Sequence, residues 1–231
     1  MELKGKKIYF LGDSITEGVG ASDAEHCYVS VFGKLSGAIV KNYGISATRI
    51  ACQTENLTTK EPDLSFVNRV DSMDSDADVV VVFGGTNDFG HGDAKLGTFE
   101  SRDPYTFYGA MHVLCEKLIN RFPNADILFM TPLHRCSEDE VSKENGLPEE
   151  TNRRVVDIIS DVNMAYSEHA RRYLAVYSPR SISSRKPICP TDCIPPMQVH
   201  CGSHCGSWDF CRRCNKKDDA IALTLCYDNK D

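Results

Sequence analysis

Short apolar runs alternate with amphipathic stretches along the first three quarters of the chain. Four apolar runs predict β-strands, at residues 7–11, 39–43, 78–83 and 125–130. The third run, DVVVVF, is apolar throughout after its aspartate, which is typical of a parallel strand covered on both faces. Three stretches with apolar residues three or four positions apart predict helices, at residues 28–39, 105–122 and 155–173.

This alternation of strands and helices predicts a parallel sheet with helices on both faces. In such sheets, ligands bind beyond the carboxyl ends of the strands. Three turns with chemically useful residues each follow a predicted strand, at residues 12–14 (GDS), 43–44 (YG) and 85–88 (GTND). We therefore expect the three turns to meet at one edge of the sheet.

Ser14 follows the first predicted strand at a tight turn. A serine at a strand-to-helix turn exposes its hydroxyl, and nearby backbone N–H groups can face the oxyanion that forms when it attacks a carbonyl. The turn is equally typical of a helix start, because Ser14 with Glu17 three positions later matches a capping box. Taken alone, this turn favours the capping interpretation.

Two further turns favour a catalytic interpretation of Ser14 over helix capping. Asn87 ends the strongest strand after two glycines, where its carboxamide N–H could give an oxyanion one hydrogen bond, worth about 3–4 kcal/mol. Gly44 ends the second strand and could offer a backbone N–H that no side chain obstructs. The structural alternatives are an ordinary turn asparagine and a strand-ending glycine.

Together the three turns resemble the sequence blocks of a known enzyme family. Residues 10–18 (FLGDSITEG) resemble the first block of the SGNH (GDSL-type) hydrolases, residues 42–48 (NYGISAT) look like the second, and residues 84–88 (GGTND) look like the third. Each block follows a predicted strand, and their order is that of the family. The resemblance covers residues 5–174.

The resemblance implies a three-layer α/β/α fold with a flavodoxin-like parallel sheet, the SGNH hydrolase fold, and acyl transfer without a metal or cofactor. By this resemblance, Ser14 attacks an ester carbonyl and forms an acyl-enzyme that water then hydrolyses. The Ser14 and Gly44 N–H groups and the Asn87 side chain hold the oxyanion. Family substrates include lipid esters, acyl thioesters and acetylated carbohydrates, so we expect a small-molecule ester substrate.

The general base is missing from this pattern. The family uses a histidine near the C-terminus, in an Asp-x-x-His block flanked by Gly, Leu and Pro, and we identify no such block in the chain. Asp192 and His200 lie in the right region, but seven residues separate them. A single histidine is more often structural than catalytic, so we do not assign the base to His26, His91 or His134. Without a base, the rate should fall by a factor on the order of 10⁴ or more.

A shift of reading frame would explain the missing block. Read from the third base of the Cys189 codon, the codons permitted for residues 189–196 can spell Pro-Asp-Gly-Leu-His-Pro, the expected block. The codons that follow can spell an amphipathic helix in the same frame. We therefore hypothesise a frame slip between residues 170 and 189, which the DNA sequence across codons 170–231 would test.

Cysteines are crowded at the end of the chain, with seven of the eleven after residue 188. This change in cysteine content divides the chain into two parts. Residues 1–174 form an SGNH hydrolase-like domain, and residues 175–231 form an atypical cysteine-rich tail that we expect to be poorly ordered or out of frame. Read in frame, the tail offers only a weak zinc pattern, formed by Cys201, His204, Cys205, Cys211 and Cys214. The rival interpretation is a non-catalytic binding protein with a Cys/His metal-binding tail, although we assign no metal.

Composition limits the size of the domain and the classes of partner that the chain can bind. A chain of 231 residues is long enough for one substantial α/β domain. The formal net charge of −7 argues against a nucleic-acid partner, which needs a basic face. No segment approaches the roughly 18 apolar residues of a membrane span. Because the first apolar run is also too short for a signal peptide, we expect a cytoplasmic protein.

Overall fold

The computed structural model describes residues 3–53, 63–133, 139–141, 152–170 and 174–177. Within them, the chain forms the strands β1 (Lys7–Gly12), β2 (Ile39–Gly44), β3 (Val79–Phe83), β4 (Asp126–Met130) and β5 (Leu174–Tyr177). The α-helices are α1 (Ser14–Glu17), α2 (Tyr28–Ser36), α3 (Phe66–Arg69), α4 (Thr86–Gly90), α5 (Phe107–Arg121) and α6 (Asn152–Ala170). Two short 3₁₀ turns lie at Ala24–His26 and Val70–Ser72.

All five strands pair in parallel, in the spatial order β2-β1-β3-β4-β5. The chain thus begins in the sheet interior, moves outward to β2 and then crosses to β3 on the other side of β1. Strands on either side of such a crossing have their connections on opposite faces, and the crevice beyond their carboxyl ends is where ligands bind in this class of sheet. The predicted three-layer, flavodoxin-like α/β/α fold is confirmed.

Alternate side chains of the strands enter two separate cores. Tyr9 and Leu11 of β1 belong to the core beneath α5 and α6, which also takes Met111 and Leu114. Ile8 and Phe10 of the same strand point to the opposite face and pack with α2 through buried side chains such as Phe32. Because both faces of the strand are buried, the sequence there reads as an unbroken apolar run.

The four predicted strands and three predicted helices are confirmed within a few residues. The helix predicted over residues 28–39 ends early, at Ser36, because Gly37 adopts a left-handed φ of 69° and donates its N–H to the Gly33 carbonyl. Leu35, one of the apolar residues whose spacing predicts this helix, is exposed. We did not predict β5, which extends three residues past the domain boundary placed after residue 174.

Candidate active site

The turns that carry Ser14, Gly44 and Asn87 lie at the same edge of the sheet. Gly12, the last residue of β1, pairs with Gly44 on one side and with Phe83 on the other. Ser14 therefore follows β1, the middle of three adjacent strands. Gly44 ends its neighbour β2, and Asn87 follows its other neighbour, β3. The expectation that the three turns meet at one edge is confirmed.

Ser14 is the first residue of α1, but it does not cap that helix. The N-cap is Asp13, whose Oδ1 accepts a hydrogen bond of 2.9 Å from the Ile15 N–H. Glu17, the other half of the expected capping box, accepts the N–H and hydroxyl of Ser46 instead. The capping interpretation of Ser14 is therefore wrong, and its half-buried hydroxyl has no hydrogen-bond partner among the described residues.

Gly44 is required by the close approach of β2 to α1. A Cβ at this position would lie 2.1 Å from the Glu17 nitrogen. The Gly44 N–H donates a 2.8 Å hydrogen bond to Asn42 Oδ1, and Asn42 Nδ2 donates to the Thr16 carbonyl at 2.6 Å. The Gly44 N–H is thus already engaged within its own turn, which the sequence alone did not reveal.

A second backbone N–H, that of Ala47, lies in the loop that follows β2. Ala47 has a φ of 61°, and no other non-glycine residue in the described ranges has a positive φ. This conformation costs an L-residue roughly 1–2 kcal/mol, and strained backbone of this kind clusters at functional sites. No described residue accepts its N–H. We did not single out Ala47 from the sequence, because an alanine carries no signal for a left-handed turn.

Asn87 is buried in α4, with 1 % of its surface exposed. One Nδ2 proton goes to the Thr48 carbonyl at 2.8 Å, which identifies Oδ1 as the acceptor end of the carboxamide. His91 Nε2 lies 3.0 Å from that oxygen and must therefore carry the proton and donate it. The second Nδ2 proton has no acceptor among the described residues. His91 thus orients Asn87, and its Nε2 is not available as a base.

Asp88 joins the Asn87 turn to the loop that follows β2. Its two carboxylate oxygens each accept a 3.0 Å hydrogen bond, from the N–H groups of Ile50 and Ala51. Burial raises the pKa of the Asp88 carboxyl from 3.8 to about 6, although these hydrogen bonds and the nearby Arg49 charge act against the rise. The carboxylate therefore fixes the loop at a cost in desolvation.

The loop after α1 holds a pair with Asp-x-x-His spacing that we did not identify from the sequence. Asp23 Oδ1 accepts a 2.7 Å hydrogen bond from His26 Nδ1, and this bond lowers the pKa of the Asp23 carboxyl. A carboxylate that orients an imidazole in this way is typical of catalytic bases. However, the His26 side chain is 64 % exposed and forms no hydrogen bond with Ser14.

The remaining base and metal candidates lie outside the described residues. They are His134, Asp192, His200 and the tail residues Cys201, His204, Cys205, Cys211 and Cys214. Inside the described ranges, no group of three or more His, Cys, Asp or Glu side chains could hold a metal ion. In those same ranges no helix combines the length and the apolar character needed to cross a bilayer.

Residues 10–185 match the family model described as the GDSL-like Lipase/Acylhydrolase family. One solved crystal structure is 33 % identical, with a TM-score of 0.66, over 83 % of this chain and 85 % of that chain. A Lactobacillus plantarum protein is 22 % identical over 99 % of both chains, with a TM-score of 0.70. A Bacteroides ovatus protein, provisionally described as a GDSL-like lipase, is 21 % identical over 79 % of this chain and 88 % of its own, with a TM-score of 0.51. No curated protein matches the chain in sequence.

Proposed function

Because the chain belongs to the GDSL-like lipase/acylhydrolase family, we propose that it hydrolyses carboxylic esters of small molecules through an acyl-enzyme on Ser14. One observation carries this proposal. The Ser14 hydroxyl follows the inner strand β1 and is not used for capping. The buried Asn87 carboxamide follows the adjacent strand β3, and one of its N–H groups has no acceptor among the described residues. A nucleophile and an oxyanion donor at one crevice are what acyl transfer requires.

In the proposed reaction, Ser14 Oγ forms a bond to the ester carbonyl carbon and transfers its proton to a base. The carbonyl oxygen becomes an oxyanion, held by the Ser14 N–H and by Asn87 Nδ2. Collapse of this tetrahedral intermediate breaks the bond to the alcohol, which leaves with a proton. Water then attacks the acyl-enzyme by the same route, which releases the carboxylic acid and restores the serine.

We assign the third oxyanion donor to the loop that begins at Gly44. The Gly44 N–H, our sequence-based candidate, can serve only if the oxyanion displaces Asn42 Oδ1. The Ala47 N–H has no such competitor among the described residues, and its left-handed φ supports a role in the site. Asn42→Ala and Asn42→Asp together separate the two, because both lose the Nδ2 bond to the Thr16 carbonyl and only Asn42→Ala frees the Gly44 N–H. The two variants differ in ester kcat if Gly44 is the donor, and they have the same kcat if Ala47 is.

The base remains unassigned, and we propose that turnover by this chain is therefore weak. None of the three histidines whose side chains the structure describes forms a hydrogen bond with Ser14 Oγ. His26 bonds to Asp23, His91 to Asn87 and His112 to the Phe99 carbonyl. Loss of a triad histidine costs a factor on the order of 10⁶ in kcat, while the oxyanion hole and binding retain about 10³–10⁴ over the reaction in water. The family match ends at residue 185, before the segment in which a shifted frame would supply the missing histidine.

Hydrolysis of p-nitrophenyl acetate tests the proposal. We expect slow release of p-nitrophenol that falls to background in Ser14→Ala. Added imidazole should raise the rate of the unmodified chain well above that of Ser14→Ala, because an external base can replace an absent one. Equal rates for the two proteins in imidazole would refute the proposal, and fast turnover without imidazole would show that the chain contains a base.

His26→Ala tests whether the exposed Asp23–His26 pair is that base. We expect the residual rate to stay the same, because no hydrogen bond connects the pair to Ser14. A fall to the Ser14→Ala level would identify His26 as the proton acceptor.

A further inference from the structure

Among the described residues at the carboxyl edge of the sheet, Arg69 has the side chain with the most hydrogen bonds. It lies in α3, is 6 % exposed and donates four hydrogen bonds. Nε donates to the Leu64 carbonyl at 2.8 Å, and Nη1 donates to the Tyr43 carbonyl at 2.6 Å. Nη2 donates both to the Gly12 carbonyl at 3.0 Å and to Thr48 Oγ1 at 2.9 Å. No described carboxylate forms a salt bridge with it.

Three of these acceptors belong to the segments that carry the proposed site groups. Gly12 is two residues before Ser14, on the same tight turn. The Tyr43 carbonyl belongs to the same peptide unit as the Gly44 N–H. Thr48 accepts Asn87 Nδ2 through its own carbonyl and directly follows Ala47. One planar group thus connects the nucleophile turn directly to the β2 turn, and it reaches the Asn87 turn through Thr48.

The guanidinium remains charged in this position. Burial lowers the pKa of Arg69 to about 10, and the negative charge of the nearby Asp13 acts against this fall. The group is therefore a cation at neutral pH, and its face also lies 5.0 Å from the Phe66 ring centroid. A buried cation bonded mainly to carbonyl oxygens is costly to keep unless its position is functionally or structurally required.

We propose that Arg69 is a positioning residue for acyl transfer, whose guanidinium sets the spacing between Ser14 and the oxyanion donors that follow β2 and β3. This inference rests on the proposed function of Ser14. Lysine cannot replace it, because a single ammonium does not reproduce the fork geometry that reaches Gly12, Tyr43 and Thr48 together. A misplacement of about 1 Å in such a site can cost up to about 100-fold in rate.

The rate at which a fluorophosphonate modifies Ser14, with imidazole added as the external base, tests this role. The phosphonyl oxygen uses the same donors as an ester oxyanion, and intact-mass spectra give the rate without turnover. We expect Arg69→Lys to slow modification by about tenfold or more while the protein stays folded. The matched control is Arg121→Lys, since Arg121 donates to the Met73 carbonyl at the opposite, amino edge. That variant should keep the original rate.

Folding is measured alongside, through the thermal unfolding midpoint of each variant. If Arg69→Lys does not fold, Thr48→Val replaces it, because this change removes, at nearly constant volume, the hydroxyl that accepts Arg69 Nη2 and donates to the Ile45 carbonyl. A folded Arg69→Lys with the original rate overturns the inference, and so does an unaffected Thr48→Val when Arg69→Lys is unfolded. An unmodified chain whose Ser14 never reacts instead overturns the proposed function itself, together with this inference.

Discussion

Charged groups at the two edges of the parallel sheet differ in their burial and in their hydrogen-bond partners. At the amino edge, Lys6 pairs with Asp78 and Lys7 with Asp76, and all four side chains are about half exposed. At the carboxyl edge, Arg69 and Asp88 are buried and bond chiefly to backbone groups of other turns. The amino-edge pairs are screened by water, whereas the carboxyl-edge charges are hydrogen-bonded to the backbone of the turns.

This difference accounts for the location of the candidate site. A serine hydroxyl and a carboxamide can act together only if the turns that carry them hold a fixed spacing. Solvated ion pairs do not fix a backbone to that degree, because long side chains can rearrange in water. Buried groups with several backbone partners can, since each lost bond leaves an unsatisfied polar atom.

The largest effect is expected from Gly44→Ala at the carboxyl edge. Its Cβ would lie 2.1 Å from the Glu17 nitrogen and 2.6 Å from the Thr16 carbonyl carbon, both of them backbone atoms that cannot rotate away. We expect the free energy of unfolding in urea to fall by about 3 kcal/mol or more. Gly90→Ala is the control, because its Cβ would meet no atom within 4 Å. Equal stability of the two variants would contradict the close approach of β2 to α1.

The next largest effect is expected in the pH dependence of the free energy of unfolding, which Asp88 should cause. Its folded pKa of about 6 lies above the ordinary 3.8, so the native state binds the proton more tightly than the unfolded state between these values. Its contribution to stability is therefore lost as the pH rises from about 4 to 6, by an amount on the order of 2–3 kcal/mol. Asp88→Asn should lack this trend in urea unfolding measured at each pH.

Asp78→Asn at the amino edge sharpens that test, because the pKa of Asp78 is shifted in the opposite direction to that of Asp88. Hydrogen bonds from the Lys7 N–H and from Lys6 lower the pKa of Asp78. Its contribution is therefore present at neutral pH and is lost as the pH falls through the folded value. The stability curves of the two variants should diverge from the original in opposite directions. Parallel curves for all three proteins would remove the distinction between the edges.

The smallest effect is expected at Lys6. Its ammonium lies 3.0 Å from Asp78 Oδ1, but both side chains are exposed by about two fifths. Lys6→Met should change the free energy of unfolding by less than about 1 kcal/mol, and less still in 1 M salt. A loss comparable to that of Gly44→Ala would show that the amino edge is as rigidly held as the carboxyl edge.

The apolar pattern predicts the sheet well because both faces of each inner strand are buried. The continuous runs in β1 and β3 follow from that burial, and so does the position of the turns that end them. β5 escaped prediction because four residues directly after a long helix give too little pattern to separate the two elements. The domain boundary and the cysteine-rich tail remain predictions, since residues 178–231 lie outside the described ranges.

The site is less predictable, because its bonds join residues distant in sequence. The spacing of Ser14 and Glu17 predicts a capping box. In the structure Asp13 caps the helix instead, and Glu17 accepts a hydrogen bond from Ser46, which follows β2 and is distant from Glu17 in sequence. The role of Arg69 depends on carbonyl groups up to 57 positions away, which leave no trace in its own sequence neighbourhood. The Asp23–His26 spacing was visible in the sequence, but we sought that block near the C-terminus.

The position of a covalent adduct tests the central claim most directly. The chain is treated with a fluorophosphonate in the presence of imidazole, digested, and its peptides are sequenced by mass spectrometry. We predict one phosphonyl group per chain, on the hydroxyl of Ser14, and none in Ser14→Ala. An adduct on another residue, or equal modification of Ser14→Ala, would contradict the account.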